Sequence, residues 1–169
     1  MIEQRLAQLG LTLPAAAKPS FNYVAVTLHQ GVAYVSGQLP KVDGEVRLHG
    51  KVGAEVSLVQ AREQARICVL QALACLAAEL GDLARITRIL KVSGFVASAP
   101  GFNDQPKVID AASDLLVEIL GPLARHARSA VGVAELPRNA SVEIEFVVAY
   151  APQPIDDQSE PSGHKGECS

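Results

Sequence analysis

The sequence predicts one α+β domain, a mixed five-stranded sheet with two helices packed on one face, in the order β-β-α-β-α-β-β. Three observations predict it. Two long stretches carry apolar residues at three- and four-residue spacing, five shorter ones are rich in Val and Ile or alternate, and Gly, Pro and Asn punctuate the joints. The chain has 169 residues, enough for one domain with a tail, and 49% of them are hydrophobic against 20% charged, the balance of a packed protein. With no Trp and only 4% aromatics, the core must be built from Ala, Val, Leu and Ile.

Residues 1–10 hold Ile2, Leu6 and Leu9 at helical spacing with Gly10 as a stop, and residues 13–20, with Pro14 and Pro19, form a linker, so 1–20 is an N-terminal extension of the domain at 21–151. Residues 23–28 and 32–37 are strands around a three-residue hairpin loop, His29-Gln30-Gly31. Residues 40–56 are polar and glycine-rich and read as a long loop. Ser57 and Gln60 form a capping-box pattern ahead of the clearest helix, whose apolar positions run from Ala61 through Cys68 and Leu73 to Leu80, with Gly81 as its stop. Residues 86–97 are a strand in which Gly94 suggests a bulge. Asp104 caps a second helix with Pro106 in its first turn, Val108, Ala112, Leu115 and Ile119 line one side, and Gly121-Pro122 ends it. Residues 129–135 and 142–150 are strands around Leu136-Pro137-Arg138-Asn139. In the last strand Val142, Ile144, Phe146, Val148 and Tyr150 share a face, and Glu143 and Glu145 start the other. Residues 152–169 have the composition of a disordered acidic tail.

Two helices cover one face of five strands, and Val142, Ile144 and Phe146 are not a solvent face. Another subunit is therefore expected to bury what is left, and a homo-oligomer follows. The tail carries a net −3, which leaves 14 basic and 14 acidic side chains in residues 1–151. A formally neutral body lacks the basic field that nucleic-acid binding needs. The longest nearly apolar stretch, residues 67–78, is broken by Gln71 and is too short to span a bilayer. The N-terminus carries no signal-peptide core, so a cytoplasmic location is expected. Cys68 and Cys75, seven apart on a helix, lie about 10.5 Å from each other and cannot be bridged. Both read as core residues, and Cys168 in the tail as a free thiol. No cysteine or histidine spacing matches a zinc site.

Arg128, at the mouth of a strand, can grip a carboxylate with two parallel hydrogen bonds; its bland alternative is a surface arginine in a basic loop. Glu143, among apolar neighbours, can orient a water or hold a proton, unless it and Glu145 simply face solvent. Ser36-Gly37-Gln38 ends the second strand with a hydroxyl beside a glycine that admits close approach. His126 reads as a solvated loop residue, and Arg85, Arg88 and Lys91 as a solvated edge.

Taken together these stretches resemble one family. His126-Ala127-Arg128-Ser129-Ala130-Val131-Gly132-Val133-Ala134-Glu135-Leu136-Pro137, followed by Val142-Glu143-Ile144-Glu145, is similar to the C-terminal signature of the Rid/YjgF family of imine deaminases. So are Tyr34-Val35-Ser36-Gly37-Gln38-Leu39-Pro40, Gly50-Lys51-Val52-Gly53, and Gly94-Phe95-Val96 leading to Asp104-Gln105-Pro106. The resemblance implies a chorismate-mutase-like fold and a homotrimer with clefts between subunits. It implies hydrolysis of enamine and imine intermediates, such as 2-aminoacrylate, to 2-keto acids and ammonia, with no cofactor or metal. Arg128 would bind the substrate carboxylate, Glu143 would position the water, and Tyr23, Ser36 and Gly37 would line the cleft. Two positions depart from many family deaminases: Ala130 stands where they have Cys, and Asp110 where they have Asn. The first reshapes the pocket; the second brings a negative charge near a carboxylate substrate. A non-catalytic, carboxylate-binding or regulatory trimer that keeps the arginine is the alternative, and ribonuclease activity a distant third.

Overall fold

The computed structural model describes residues 2–152, so the tail expected from residue 152 onward lies, but for Pro152, outside the described residues, as does Cys168. Helix α1 spans Ile2–Gln8 and docks through Leu6, which is 5% exposed. Gly10, at φ 67°, turns the chain away. Arg5 Nε donates to the Glu118 carbonyl at 2.7 Å and ties α1 to a later helix.

Strands β1 (Val26–His29) and β2 (Val32–Gln38) pair antiparallel. His29 pairs with Val32, so the loop is two residues, Gln30-Gly31, rather than three. Both have positive φ, 46° and 78°, the left-handed turn that matches strand twist. The first strand starts three residues later than expected. The loop expected over 40–56 contains a small hairpin, β3 (Lys41–Val42) and β4 (Glu45–Val46), turning on Asp43-Gly44.

Helix α2 (Leu58–Leu80) begins with the expected capping box: Gln60 N donates to Ser57 Oγ and Ser57 N to Gln60 Oε1. Its buried stripe includes Cys68 and Cys75, whose thiols burial pushes up, away from nucleophilic use. Strand β5 (Ile86–Ala97) is irregular near Ile86 and Ile89, not at Gly94. Gly94 pairs in register with Ile144 on one side and Ala130 on the other. A Cβ on it would come within 2.5 Å of Ile109 in helix α3 (Gln105–Leu120), so this glycine serves close helix packing. Asp104 stands at the N-cap of α3 but makes no side-chain capping bond; its carboxylate pairs with Lys107 at 3.1 Å. Arg85 is no solvated edge: it donates to the Leu80 and Ala151 carbonyls and lies over the Tyr150 ring. Lys91 Nζ reaches Ser129 Oγ at 3.1 Å.

Strand β6 (Ala127–Val133) sits two residues earlier than expected and runs parallel to β5, with α3 as the crossover. Strand β7 (Val142–Tyr150) pairs antiparallel with β2 and β5, so the sheet order is β1-β2-β7-β5-β6. Helices α2 and α3 cover one face. Val142, Ile144, Phe146 and Val148 are all 3% exposed or less, buried beneath those helices within the chain. They are therefore not what a partner would cover, which corrects the sequence-based argument. The bare face carries instead Tyr34, Val131, Thr27, Ser93, Glu143 and Glu145, with Tyr34 51% and Val131 46% exposed. Among the described residues no helix is long and apolar enough to cross a membrane.

Candidate functional site

Arg128 pairs with Val92, and Val92 is buried under the helices, so the arginine points to the helix side of the edge strand. There it meets α3. Its Nη1 donates to Asp110 Oδ1 at 2.6 Å and to Ser113 Oγ at 3.0 Å. Asp110 and Ser113 are three apart, hence on one side of the helix. Ser113 Oγ also lies 3.1 Å from His126 Nε2, and His126 Nδ1 contacts the Ala124 carbonyl. The carbonyl accepts only, so Nδ1 carries the proton and Nε2 accepts from Ser113. Burial pushes the His126 pKa down, against the opposing pull of the Ala124 carbonyl, and the charge of Arg128 adds to the lowering, which favours the neutral ring. The expected solvated histidine is thus half-buried and hydrogen-bonded at both nitrogens. A cavity of about 290 Å³ opens beside this group, lined by Asp110, Ser113, Asp114, Arg125, His126 and Arg128. Ala130, two residues on, keeps the same face and packs on the core.

Glu143 lies elsewhere. It alternates with buried Val142 and Ile144 and so faces the bare side of the sheet, paired with Phe95. Arg128 and Glu143 sit on strands either side of β5 and three residues apart along it, roughly 14 Å between Cα atoms, on opposite faces. The Glu143 carboxylate folds over Gly37, where a Cβ would stand 1.9 Å from Oε1. Burial raises the Glu143 pKa, and the charge of Glu145 raises it further. A cavity of about 270 Å³ on this face is lined by Thr27, Tyr34, Ser36, Ser93, Glu145 and Val147. The Ser36 hydroxyl, on the wall of that cavity, donates to the Val24 carbonyl at 2.7 Å.

Tyr23 belongs to neither group. It is 53% exposed, before β1, against Ala16, Ala17, Cys75 and Glu79. A larger cavity of about 400 Å³ between the linker and the β3–β4 hairpin carries Lys18, Lys41 and Arg138 and none of the predicted site residues. One chain therefore assembles Arg128 with Asp110, with Ala130 on the same face, and separately Glu143 with Gly37, while Ser36 lines the neighbouring cavity with Glu145. Ser113 is the residue that sequence reasoning missed; its three-residue offset from Asp110 was the available signal.

Residues 3–150 match the family model described as "YjgF/chorismate_mutase-like, putative endoribonuclease". The chain is 43% identical over 148 residues to protein TCP17 of Trypanosoma cruzi, covering 87% of this chain and 92% of that one. It is 30% identical over 138 residues to a 2-iminobutanoate/2-iminopropanoate deaminase of Dermatophagoides farinae, covering 82% and 93%. A crystal structure of a protein of unknown function from Agrobacterium tumefaciens superposes with TM-score 0.83 at 48% identity, over 89% of this chain and 92% of that one.

Proposed function

Because the chain belongs to the YjgF/chorismate-mutase-like family, also called Rid, we propose that it is a cytoplasmic imine deaminase acting as a homotrimer. The reaction is a hydrolysis: a protonated 2-imino acid and one water give a 2-keto acid and ammonium. Such imines hydrolyse unaided, so the protein need supply only orientation and modest acid–base help. The observation that carries the reading is the Arg128 guanidinium, which opens on a cavity with only Nη1 engaged among the described residues. That leaves the Nε–Nη2 edge for a carboxylate. Glu143, its pKa raised by burial and by the charge of Glu145, suits a group that exchanges a proton with water.

Within one chain these two residues face apart, and the proposed trimer supplies the missing half of each site. The bare sheet face, with Tyr34 and Val131 exposed, supports that association. The same separation, with Asp110 already on Arg128, favours a second reading, a carboxylate-binding trimer without catalysis. Imines generated in situ by an amino-acid oxidase separate the two. The expected result is accelerated release of ammonia and keto acid from a particle of about three chains by sedimentation equilibrium. A monomer at micromolar concentration, or no acceleration across a panel of amino acids, refutes the deaminase reading.

A further inference from the structure

The geometry points to Asp110 as the receptor for the cationic nitrogen of the substrate, making the Asp110–Arg128 pair a binding site for a zwitterion. This rests on the deaminase reading and names the charge class of its substrate. Arg128 spends Nη1 on Asp110 Oδ1 and Ser113 Oγ, while its Nε and Nη2 have no protein partner among the described residues. Asp110 is half exposed at the cavity, and among the described residues only its Oδ1 is engaged. Ser113 accepts from Arg128 and gives its one proton to His126, so it has no donor left for a ligand. Asp114, the other acid on the cavity wall, is already 3.6 Å from Arg62. The Oδ2 of Asp110 is thus the anionic acceptor left on the cavity wall that Arg128 also lines.

A 2-imino acid in its protonated form, the form water attacks, carries a carboxylate and a C=NH2 cation two bonds apart. The protein presents a cation and an anion side by side on one cavity wall, the two charges such a ligand carries. The pair also favours release of the product. Hydrolysis removes the cationic nitrogen as ammonium and leaves a keto acid, which keeps the carboxylate and meets Asp110 as a neighbour without a matching charge. An uncharged carboxamide at this position would not distinguish the two in that way.

Calorimetric titration of the full-length protein with 2-aminobutanoate, a stable zwitterion, and 2-oxobutanoate, an anion of the same skeleton, tests this. The wild type should bind the amino acid about ten- to a hundredfold more tightly, the usual effect of one charge-assisted contact. Asp110→Asn and Asp110→Ser should abolish that preference and tighten 2-oxobutanoate, while Arg128→Ala should weaken both ligands. A wild type with equal affinities, or a preference that survives in both Asp110 variants while Arg128→Ala loses both ligands, overturns the role of Asp110 and leaves the deaminase reading standing. Wild-type affinities unchanged in Arg128→Ala, or no binding of either ligand to the wild type, overturns both.

Discussion

Replacing Gly37 with alanine should disable the proposed water-positioning carboxylate without touching it. The backbone at Gly37 does not have the positive φ that would exclude alanine. The added Cβ would stand 1.9 Å from Glu143 Oε1 and 2.9 Å from Cδ, whereas such contacts essentially never fall below 3.0 Å. The carboxylate must retreat by more than 1 Å. Because it is the end of a flexible side chain, the fold should absorb this for about 1 kcal/mol or less, a shift of roughly 2–4 °C in Tm. A 1 Å misplacement of a positioning group costs on the order of a hundredfold in rate. Deamination of 2-iminobutanoate, generated in situ, should therefore show kcat lowered about 10- to 100-fold with little change in KM, since the carboxylate anchor, Arg128, is left intact. The double variant Gly37→Ala/Glu143→Gln should be no slower than Glu143→Gln alone, because both act through one group. Wild-type kcat in Gly37→Ala beside an impaired Glu143→Gln, or fully multiplicative losses in the double variant, would refute the reasoning.

Arg128→Lys keeps the charge but loses the planar fork, and should lower kcat/KM roughly 30- to 1,000-fold in the same assay while the protein stays folded by circular dichroism. Glu143 holds its proton more tightly folded than unfolded, so its ionisation costs native stability as pH rises from the ordinary carboxylate range through its raised pKa. Glu143→Gln should accordingly melt higher than wild type at pH 7, with the gap closing below about pH 4. Gly94→Ala forces a methyl against Ile109 and should cost about 1–3 kcal/mol by denaturant unfolding, with activity per folded molecule unchanged.

What could be read from the sequence was local. The Ser57/Gln60 box, the apolar stripe of α2 and the alternation from Val142 to Val148 each depend on residues within a turn or two of one another, and each appears as expected. The β3–β4 hairpin was equally local, but its Asp43-Gly44 turn signal was hidden by the polar composition around it. Topology was not local. Residues 127–133 and 142–150 are neighbours in sequence, yet both choose β5 as partner, since one continues a helix crossover and the other an antiparallel ladder. The same long range hides the Asp110–Arg128 contact, made across 18 positions by the return of α3 over the sheet edge. Which face Glu143 occupies followed from alternation; that Arg128 takes the opposite one required the register.

Among the described residues strand β6 has a ladder partner on one side only, β5, and it is also fastened to the domain through its contacts with α3. A strand at such a margin opens without disturbing the rest of the sheet, and its amides exchange with solvent at the free energy of that local event rather than of global unfolding. The Arg128 clasp on Asp110 and Ser113 is thus a latch on the seam between strand and helix. A ligand that bridges both residues closes the latch further, because it binds only the docked strand. Occupancy of the site becomes legible in the backbone, as slowed deuterium uptake along Ala127–Val133.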